Sequence, residues 1–204
     1  MSDEFKTIKA EIRAELKVRG SRFIAAAAPC TTRVQAEEFI ERLRKEHFDA
    51  THHGYAYRLG TEGDVRRFND DGEPSGTAGK PILVAIDKSG LTDTAVVVTR
   101  YFGGTKLGVG GLMRAYGAAA VKALAGAEHM TQYLLERLEV AFPHSHISNV
   151  MHVVSRMDAR ILDTTYDEDV HLKISIRRSK AVALKSALVE HTGGNILIRP
   201  SPES

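Results

Sequence analysis

The chain has 204 residues, of which 43% are hydrophobic and 26% are charged, as in an ordinary globular protein. Its formal net charge of +2 is too small to indicate nucleic-acid binding by itself. The single cysteine, Cys30, excludes an intrachain disulfide and a zinc site with four thiolates. No apolar run reaches the roughly 18 residues that cross a membrane, and the polar start MSDEFKTIKAE is unlike a signal peptide. We therefore expect a cytoplasmic protein with no membrane partner.

The first 130 residues contain alternating strand and helix patterns. Two strands, at 11–18 and 22–28, are predicted around a turn at Gly20-Ser21, and Thr31 or Thr32 is expected to cap the helix that follows. The other predicted elements are strands at 53–59 and 65–68, a helix at 81–86, a buried strand at 94–102 and a helix at 112–124. Pro81 is compatible with its helix only in the first turn.

Beyond residue 130 the pattern predicts the order β-α-β-β-α-β within about 65 residues, which is the ferredoxin-like motif. Ser145 or Ser148 is expected to cap the first helix of this motif. We accordingly predict an N-terminal domain over residues 1–130, a second domain over residues 131–200 and a disordered tail over residues 201–204.

The segment RYFGGTKLGVGGLMRAYG, residues 100–117, lies in a stretch from 94 to 127 that has no Asp or Glu. A strand that leads through a Gly-rich loop into a helix directs backbone N–H groups at an anion, and the helix N-terminus adds partial positive charge. Tight packing of the helix on a sheet, with a solvated basic face, is the alternative explanation. The predicted phosphate-binding residues here are Arg100, Gly103, Gly104, Lys106, Gly108, Gly110 and Arg114.

The loop DDGEPSGTAGK, residues 70–80, is open to three interpretations. Its carboxylates, Asp70, Asp71 and Glu73, could bind Mg²⁺ or act as acid and base. A second interpretation is a phosphate site formed by Ser75, Thr77 and Lys80. In the third, the loop is structural, with Asp70 or Asp71 forming an Asx-turn and Thr77 capping the next helix.

Two common nucleotide-binding fingerprints fail in these segments. A GxGxxG motif starting at Gly108 would need glycine at 113, where Met113 stands. A P-loop ending at Gly79-Lys80 would need Gly at 74 and Ser or Thr at 81, and both positions are proline. A standard nucleotide site is therefore not expected.

The segments DDGEPSGTAGKPIL and VVVTRYFGGTKLGVGGLMRAYGAAA closely resemble the two signature blocks of the IMPACT/YigZ family. ATHHGYAYRLG, from Ala50, resembles a third block, with Gly54 where many members have Cys. The resemblance covers about the whole chain and implies an α+β protein. It implies an N-terminal domain like the second domain of small-subunit ribosomal protein S-five, and a ferredoxin-like C-terminal domain similar to domain V of elongation factor G.

Eukaryotic members of that family regulate translation, and the implied folds suggest RNA or ribosome binding by analogy. We therefore expect an RNA- or ribosome-binding protein with a translation-related regulatory role, no required cofactor and no assigned protein partner. The alternative is a Mg²⁺-dependent enzyme acting on a phosphorylated or nucleic-acid substrate. It ranks second because the sequence contains no recognisable nucleophile–base pair. A third possibility is a protein-interaction module that uses the sheet of the second domain.

Overall fold

The computed structural model describes residues 3–61 and 65–201. The predicted tail lies outside these residues except for Ser201. The chain divides into two compact units, one over Phe5–Gln132 and one that comprises the chain from Tyr133 onward together with Asp3 and Glu4. Each unit contains both helices and strands, so the fold is α+β. In the described part of the chain, no helix is both long and apolar enough to cross a membrane.

A five-stranded antiparallel sheet organises the first unit. The elements up to Tyr133 are β1 (Glu4–Ile8), β2 (Ile12–Val18), β3 (Ser21–Pro29), α1 (Arg33–Glu46), β4 (His52–Leu59), β5 (Val65–Asn69), α2 (Gly79–Ser89), β6 (Thr94–Tyr101), α3 (Gly108–Gly126) and β7 (His129–Tyr133). The large sheet has the strand order β2-β3-β6-β4-β5. Strands β1 and β7, which the sequence patterns did not predict, form a separate two-stranded sheet.

The central strand β6 is buried on both faces of this sheet. Val96 and Val98 pack into the core that α2 and α3 cover, whereas Ala95 and Val97 pack into the core beneath α1. A strand covered on both faces is expected to be apolar without interruption, and β-branched residues suit it. This burial explains why TAVVVTRY is such a clear strand signal.

The predicted cap of α1 and the predicted place of Pro81 in α2 are both confirmed. Thr32 caps α1, and its Oγ1 accepts a hydrogen bond from the N–H of Gln35 at 3.3 Å. Pro81 is the third residue of α2, where its missing N–H removes no intrahelical bond. Gly90 ends α2 in the left-handed conformation, with φ 69°.

The second unit is built on a four-stranded antiparallel sheet. Its elements are β8 (Leu135–Phe142), α4 (Ile147–Arg156), β9 (Arg160–Tyr166), β10 (Val170–Arg177), α5 (Arg178–His191) and β11 (Leu197–Pro200), and the strand order is β11-β8-β10-β9. The predicted serine caps are wrong, because a short 3-10 turn over His144–His146 leads into α4 without a side-chain cap. The inward residues of β10, such as Leu172 and Ile174, share a core with α4 and α5.

Gly103, just after β6, packs against the turn between β2 and β3. A Cβ atom at Gly103 would lie 1.9 Å from the carbonyl carbon of Gly20, so only glycine fits. The N–H of Gly103 donates a hydrogen bond to Ser21 Oγ at 3.2 Å. This contact fixes the start of the Gly-rich loop relative to the sheet.

We expect Gly103→Ala to lower the free energy of unfolding by about 1–3 kcal/mol, because the turn must move away to admit the methyl group. Urea unfolding measures the change. Gly126→Ala is the matched control, since a Cβ there would lie 4.0 Å from its nearest neighbour, Ile12. Equal unfolding midpoints for wild type and Gly103→Ala would contradict the packing described.

Candidate functional site

The carboxylate of Asp70 closes the N-terminus of α2. It accepts hydrogen bonds from the N–H groups of Gly76, Ala78 and Gly79 at 2.7, 2.9 and 2.8 Å. Burial alone would raise the pKa of Asp70, but these three hydrogen bonds together outweigh it and hold the pKa below its ordinary value. Asp70 therefore caps α2, although it lies nine residues before Gly79, the first residue of the helix.

Thr77 does not have either of its predicted roles. The residue is buried, and its hydroxyl donates a hydrogen bond to the carbonyl of Pro74 at 2.6 Å. Thr77 does not cap α2 either, because Ala78 is the N-cap residue and it has no side-chain cap hydrogen bond. Ser75 and Lys80 are both exposed, so they are the two members of the predicted phosphate set in this loop that face solvent.

Asp71 attaches the same loop to α1 and to β4. Its Oδ1 accepts a hydrogen bond from Arg44 Nη2, and its Oδ2 accepts one from the backbone N–H of His53, both at 2.7 Å. His52 Nδ1 lies 2.8 Å from the carbonyl oxygen of Asp71. Asp71 adopts φ 49°, a left-handed conformation that Asp tolerates better than most residues. This carboxylate is thus fully engaged in structural contacts.

Glu73, Arg100 and Tyr116 form a buried cluster. Glu73 Oε1 accepts hydrogen bonds from Arg100 Nη1 at 2.6 Å and from the Tyr116 hydroxyl at 2.8 Å. The Glu73 and Arg100 side chains are only 3% and 6% exposed. Burial, together with the negative charge of Glu73, raises the pKa of Tyr116 far above its ordinary value, so Tyr116 stays a neutral donor.

Arg100 is buried, which contradicts the prediction that it binds phosphate. Its guanidinium lies 5.6 and 5.5 Å from the ring centroids of Phe23 and Phe102, and it neutralises Glu73 inside the protein. Gly103 is also removed from the phosphate-binding set, because its N–H donates to Ser21 Oγ. Arg100 Nη2 approaches the same Ser21 oxygen at 3.5 Å. Because Arg100 Nη1 also binds Glu73, the two signature segments meet at Arg100.

The three candidate metal ligands do not converge on one point. Asp70 faces the N–H groups of α2, Asp71 faces Arg44 and His53, and Glu73 faces Arg100 and Tyr116. Within residues 3–61 and 65–201, no group of three or more His, Cys, Asp and Glu side chains could hold a metal ion. Although the two signature segments are adjacent, the carboxylates of the 70–80 loop each bind partners within the protein.

The N-terminus of α3, in contrast, is open. Leu107 precedes the helix in a helical conformation and supplies no side-chain cap, and the first turn contains no acidic residue. The N–H groups of a first helical turn have no intrahelical acceptors. The predicted residues Gly104, Lys106, Gly108 and Gly110 are all exposed around this end.

Arg114 brings a second cation to the same end of the helix. A Cβ atom at Gly110 would lie 3.5 Å from Arg114 Nη1, so the guanidinium folds back over the first turn. Among the residues that the structure describes, no acidic side chain pairs with Lys80, Lys106 or Arg114. Unpaired cations beside a helix N-terminus are electrostatically unfavourable, and an anion bound there would relieve this.

His53, at the start of β4, is the buried titratable group next to Asp71. Burial lowers its pKa, although the nearby Asp71 carboxylate opposes the shift. Its Nε2 lies 3.1 Å from the carbonyl oxygen of His47, which matches a neutral ring that donates from this nitrogen. The unfolded chain therefore binds a proton at His53 more readily than the folded chain does.

From this pKa shift we expect the stability that neutral His53 contributes to be present above pH ~6.5 and to be lost as the pH falls towards the lowered folded value. The free energy of unfolding, measured with urea between pH 7 and pH 5, should fall more for the wild type than for His53→Gln. The same pH dependence in both proteins would contradict this role of His53.

We expect Arg100→Met to lower the free energy of unfolding by about 3–5 kcal/mol, because it leaves the buried Glu73 carboxylate without its cation. Lys106→Met, the same substitution at an exposed cation, should change it by less than about 0.5 kcal/mol. Urea unfolding of the two variants compares them directly. Similar losses of stability in both would show that Arg100 is not a structural ion-pair partner.

Comparisons with known proteins identify the family. The family model described as the Impact N-terminal domain matches residues 19–124, and one described as a domain of unknown function (DUF1949) matches residues 140–195. The chain is 34% identical over 194 residues to IMPACT family member YvyE of Bacillus subtilis (strain 168), covering 95% of this chain and 89% of that protein. It is 32% identical to IMPACT family member YigZ of Escherichia coli (strain K12), covering 88% of this chain and 89% of that protein.

A solved structure described as a crystal structure of a hypothetical protein matches the whole of both chains, with a TM-score of 0.75 and 29% sequence identity. The matched residues of the first family model include both signature segments and every residue of the open α3 N-terminus. With this agreement across the two units, the chain belongs to the IMPACT family.

Proposed function

We propose that the chain binds RNA, on its own or within the ribosome, by receiving backbone phosphates at the N-terminus of α3. The α3 N-terminal site is defined as residues 104–110 together with Arg114. The observation that carries the proposal is the contrast between two neighbouring helices. Asp70 fills the N-terminus of α2 with a carboxylate, whereas α3 has no cap and has Lys106 and Arg114 beside it.

The distribution of charge supports a polyanion rather than a single phosphate. Exposed Lys80, on α2, lines a groove together with Arg114 of the α3 N-terminal site, and residues 94–127 contain no acid. Cations that extend over more than the width of one phosphate group match the repeated negative charges of a nucleic-acid backbone.

Exposed apolar side chains beside the site support single-stranded or looped RNA. Phe102 is 48% exposed and Val109 is 60% exposed, and they stand before and within the α3 N-terminal site. Aromatic rings next to phosphate-binding cations stack on unpaired bases, which every RNA loop provides. The translation-related role that the family resemblance implies would follow from such contacts with ribosomal or transfer RNA.

The finer fold names are also part of this proposal. The order β11-β8-β10-β9 and the connection β-α-β-β-α-β support a ferredoxin-like second unit. The five-stranded sheet with α2 and α3 on one face is compatible with the fold of the second domain of ribosomal protein S-five. A Mg²⁺-dependent enzyme receives no support, because Asp70, Asp71 and Glu73 each have internal partners.

We expect Lys106→Asp to weaken RNA binding by at least tenfold while the melting temperature stays the same or rises. The new carboxylate would interact favourably with the helix N-terminus and at the same time repel phosphates. Fluorescence anisotropy with a labelled ribosomal RNA hairpin, at about 50 and about 200 mM salt, measures both affinity and its salt dependence.

The control is Lys45→Asp, which makes the same charge change in the last turn of α1, on the opposite face of the large sheet. This variant should bind RNA nearly as well as the wild type. If both variants lose affinity equally, the binding reflects net charge alone. If neither loses affinity, or the wild type fails to bind at about 50 mM salt, the proposal is wrong.

A further inference from the structure

Helices α2 and α3 lie side by side on the large sheet and leave a groove of about 360 Å³ on their outer side. The helices approach closely at Gly117, where a Cβ atom would lie 3.7 Å from Pro81 Cβ. The small residues there make a shallow floor. This floor is distinct from the α3 N-terminal site, although Arg114 borders both.

The walls of the groove are apolar and exposed. Val84 on α2 and Met113 on α3 are each 42% exposed, and Val121 on α3 is 52% exposed. Met113, Gly117 and Val121 recur at intervals of four, so they form one stripe along α3. From Met113 to Val121 the stripe extends about 12 Å at the usual helical rise, which is the length of about two helical turns.

The rim of this groove carries only positive charge. Lys80, Lys88 and Arg114 line it, and no acidic side chain does so in the described part of the chain. Asp87, the acidic residue of α2, is turned towards Arg58, with Oδ1 3.7 Å from Arg58 Nη1. The groove thus combines an apolar floor with an unbalanced cationic rim.

We propose that the groove between α2 and α3 binds an acidic amphipathic helix of a protein partner. Such a helix would place a stripe of Leu or Ile side chains over Gly117 and direct its Glu or Asp side chains at Lys80, Lys88 and Arg114. Charge complementarity selects an acidic helix over a basic one. The aliphatic floor, which has no aromatic ring for base stacking, favours a helix over RNA at this surface.

The probe is a fluorescein-labelled peptide of about 16 residues with leucines at helical spacing and glutamates on both flanks. A second peptide carries lysine in place of every glutamate. Anisotropy titrations with the full chain should give a dissociation constant at least tenfold lower for the glutamate peptide. In Lys80→Glu/Lys88→Glu the preference should reverse.

Gly117→Leu projects a larger side chain over the groove floor; its Cβ position meets only ordinary contacts, at 3.7 Å from Pro81 Cβ, and leucine favours a helix. This variant should keep its melting temperature and lose at least tenfold in affinity for the glutamate peptide. The control is Ala183→Leu, the same kind of change at an exposed position of α5 in the other unit, which should leave the affinity unchanged.

Four results would overturn the proposal. The first is equal affinity for the two peptides, and the second is unchanged affinity in Gly117→Leu. The third is a wild-type dimer in sedimentation that Gly117→Leu converts to a monomer, because a second copy of the chain would then occupy the groove. RNA binding is measured on the same variants, so that loss of RNA binding in Gly117→Leu would reassign the groove to the RNA surface instead.

Discussion

The buried ion pair between Glu73 and Arg100 is the contact on which the rest of the site depends. A buried carboxylate is tolerated only when a cation and hydrogen-bond donors surround it, and Arg100 and Tyr116 supply both. Each of the three residues belongs to a different segment: the loop at 70–80, the end of β6 and the middle of α3. The pair therefore fixes the loop and α3 relative to the sheet, and the position of the α3 N-terminus follows from it.

This arrangement resolves the conflict between an acidic loop and a basic Gly-rich segment that lie side by side. The acidic side chains of the loop have partners inside the protein, since Asp70 caps α2 and Asp71 binds Arg44 and the backbone of His53. Asp70, Asp71 and Glu73 are therefore not free to repel a phosphate at α3, and no bridging metal ion is needed to reconcile the two segments. The exposed cations Lys106 and Arg114 lie just before α3 and in its second turn, and no acidic side chain pairs with either among the described residues.

Helices and strands in which buried residues recur at regular spacing could be predicted from the sequence, because hydrophobic periodicity indicates which residues face the core. Strands β1 and β7 were missed, since EFKTI and HMTQY are short, largely polar segments that pair away from the main sheet. The burial of Arg100 could have been predicted from the sequence. Alternate residues of a strand share a face, so Arg100 lies on the same face of β6 as Val96 and Val98, which face α2 and α3. The cap by Asp70 had no such signal, because a carboxylate that reaches across a loop leaves no fixed spacing in the sequence.

The central claim is that the α3 N-terminal site is the part of the signature segments that meets RNA. Ultraviolet crosslinking of the wild-type chain to ribosomal RNA at low salt, followed by mass spectrometry of the crosslinked peptides, tests it most directly. We predict crosslinks within residues 102–114, with none in the loop between Asp70 and Thr77. Crosslinks confined to the exposed face of the four-stranded sheet, for example at His171, Lys173 or Arg199, or no crosslinks at all, would contradict the claim.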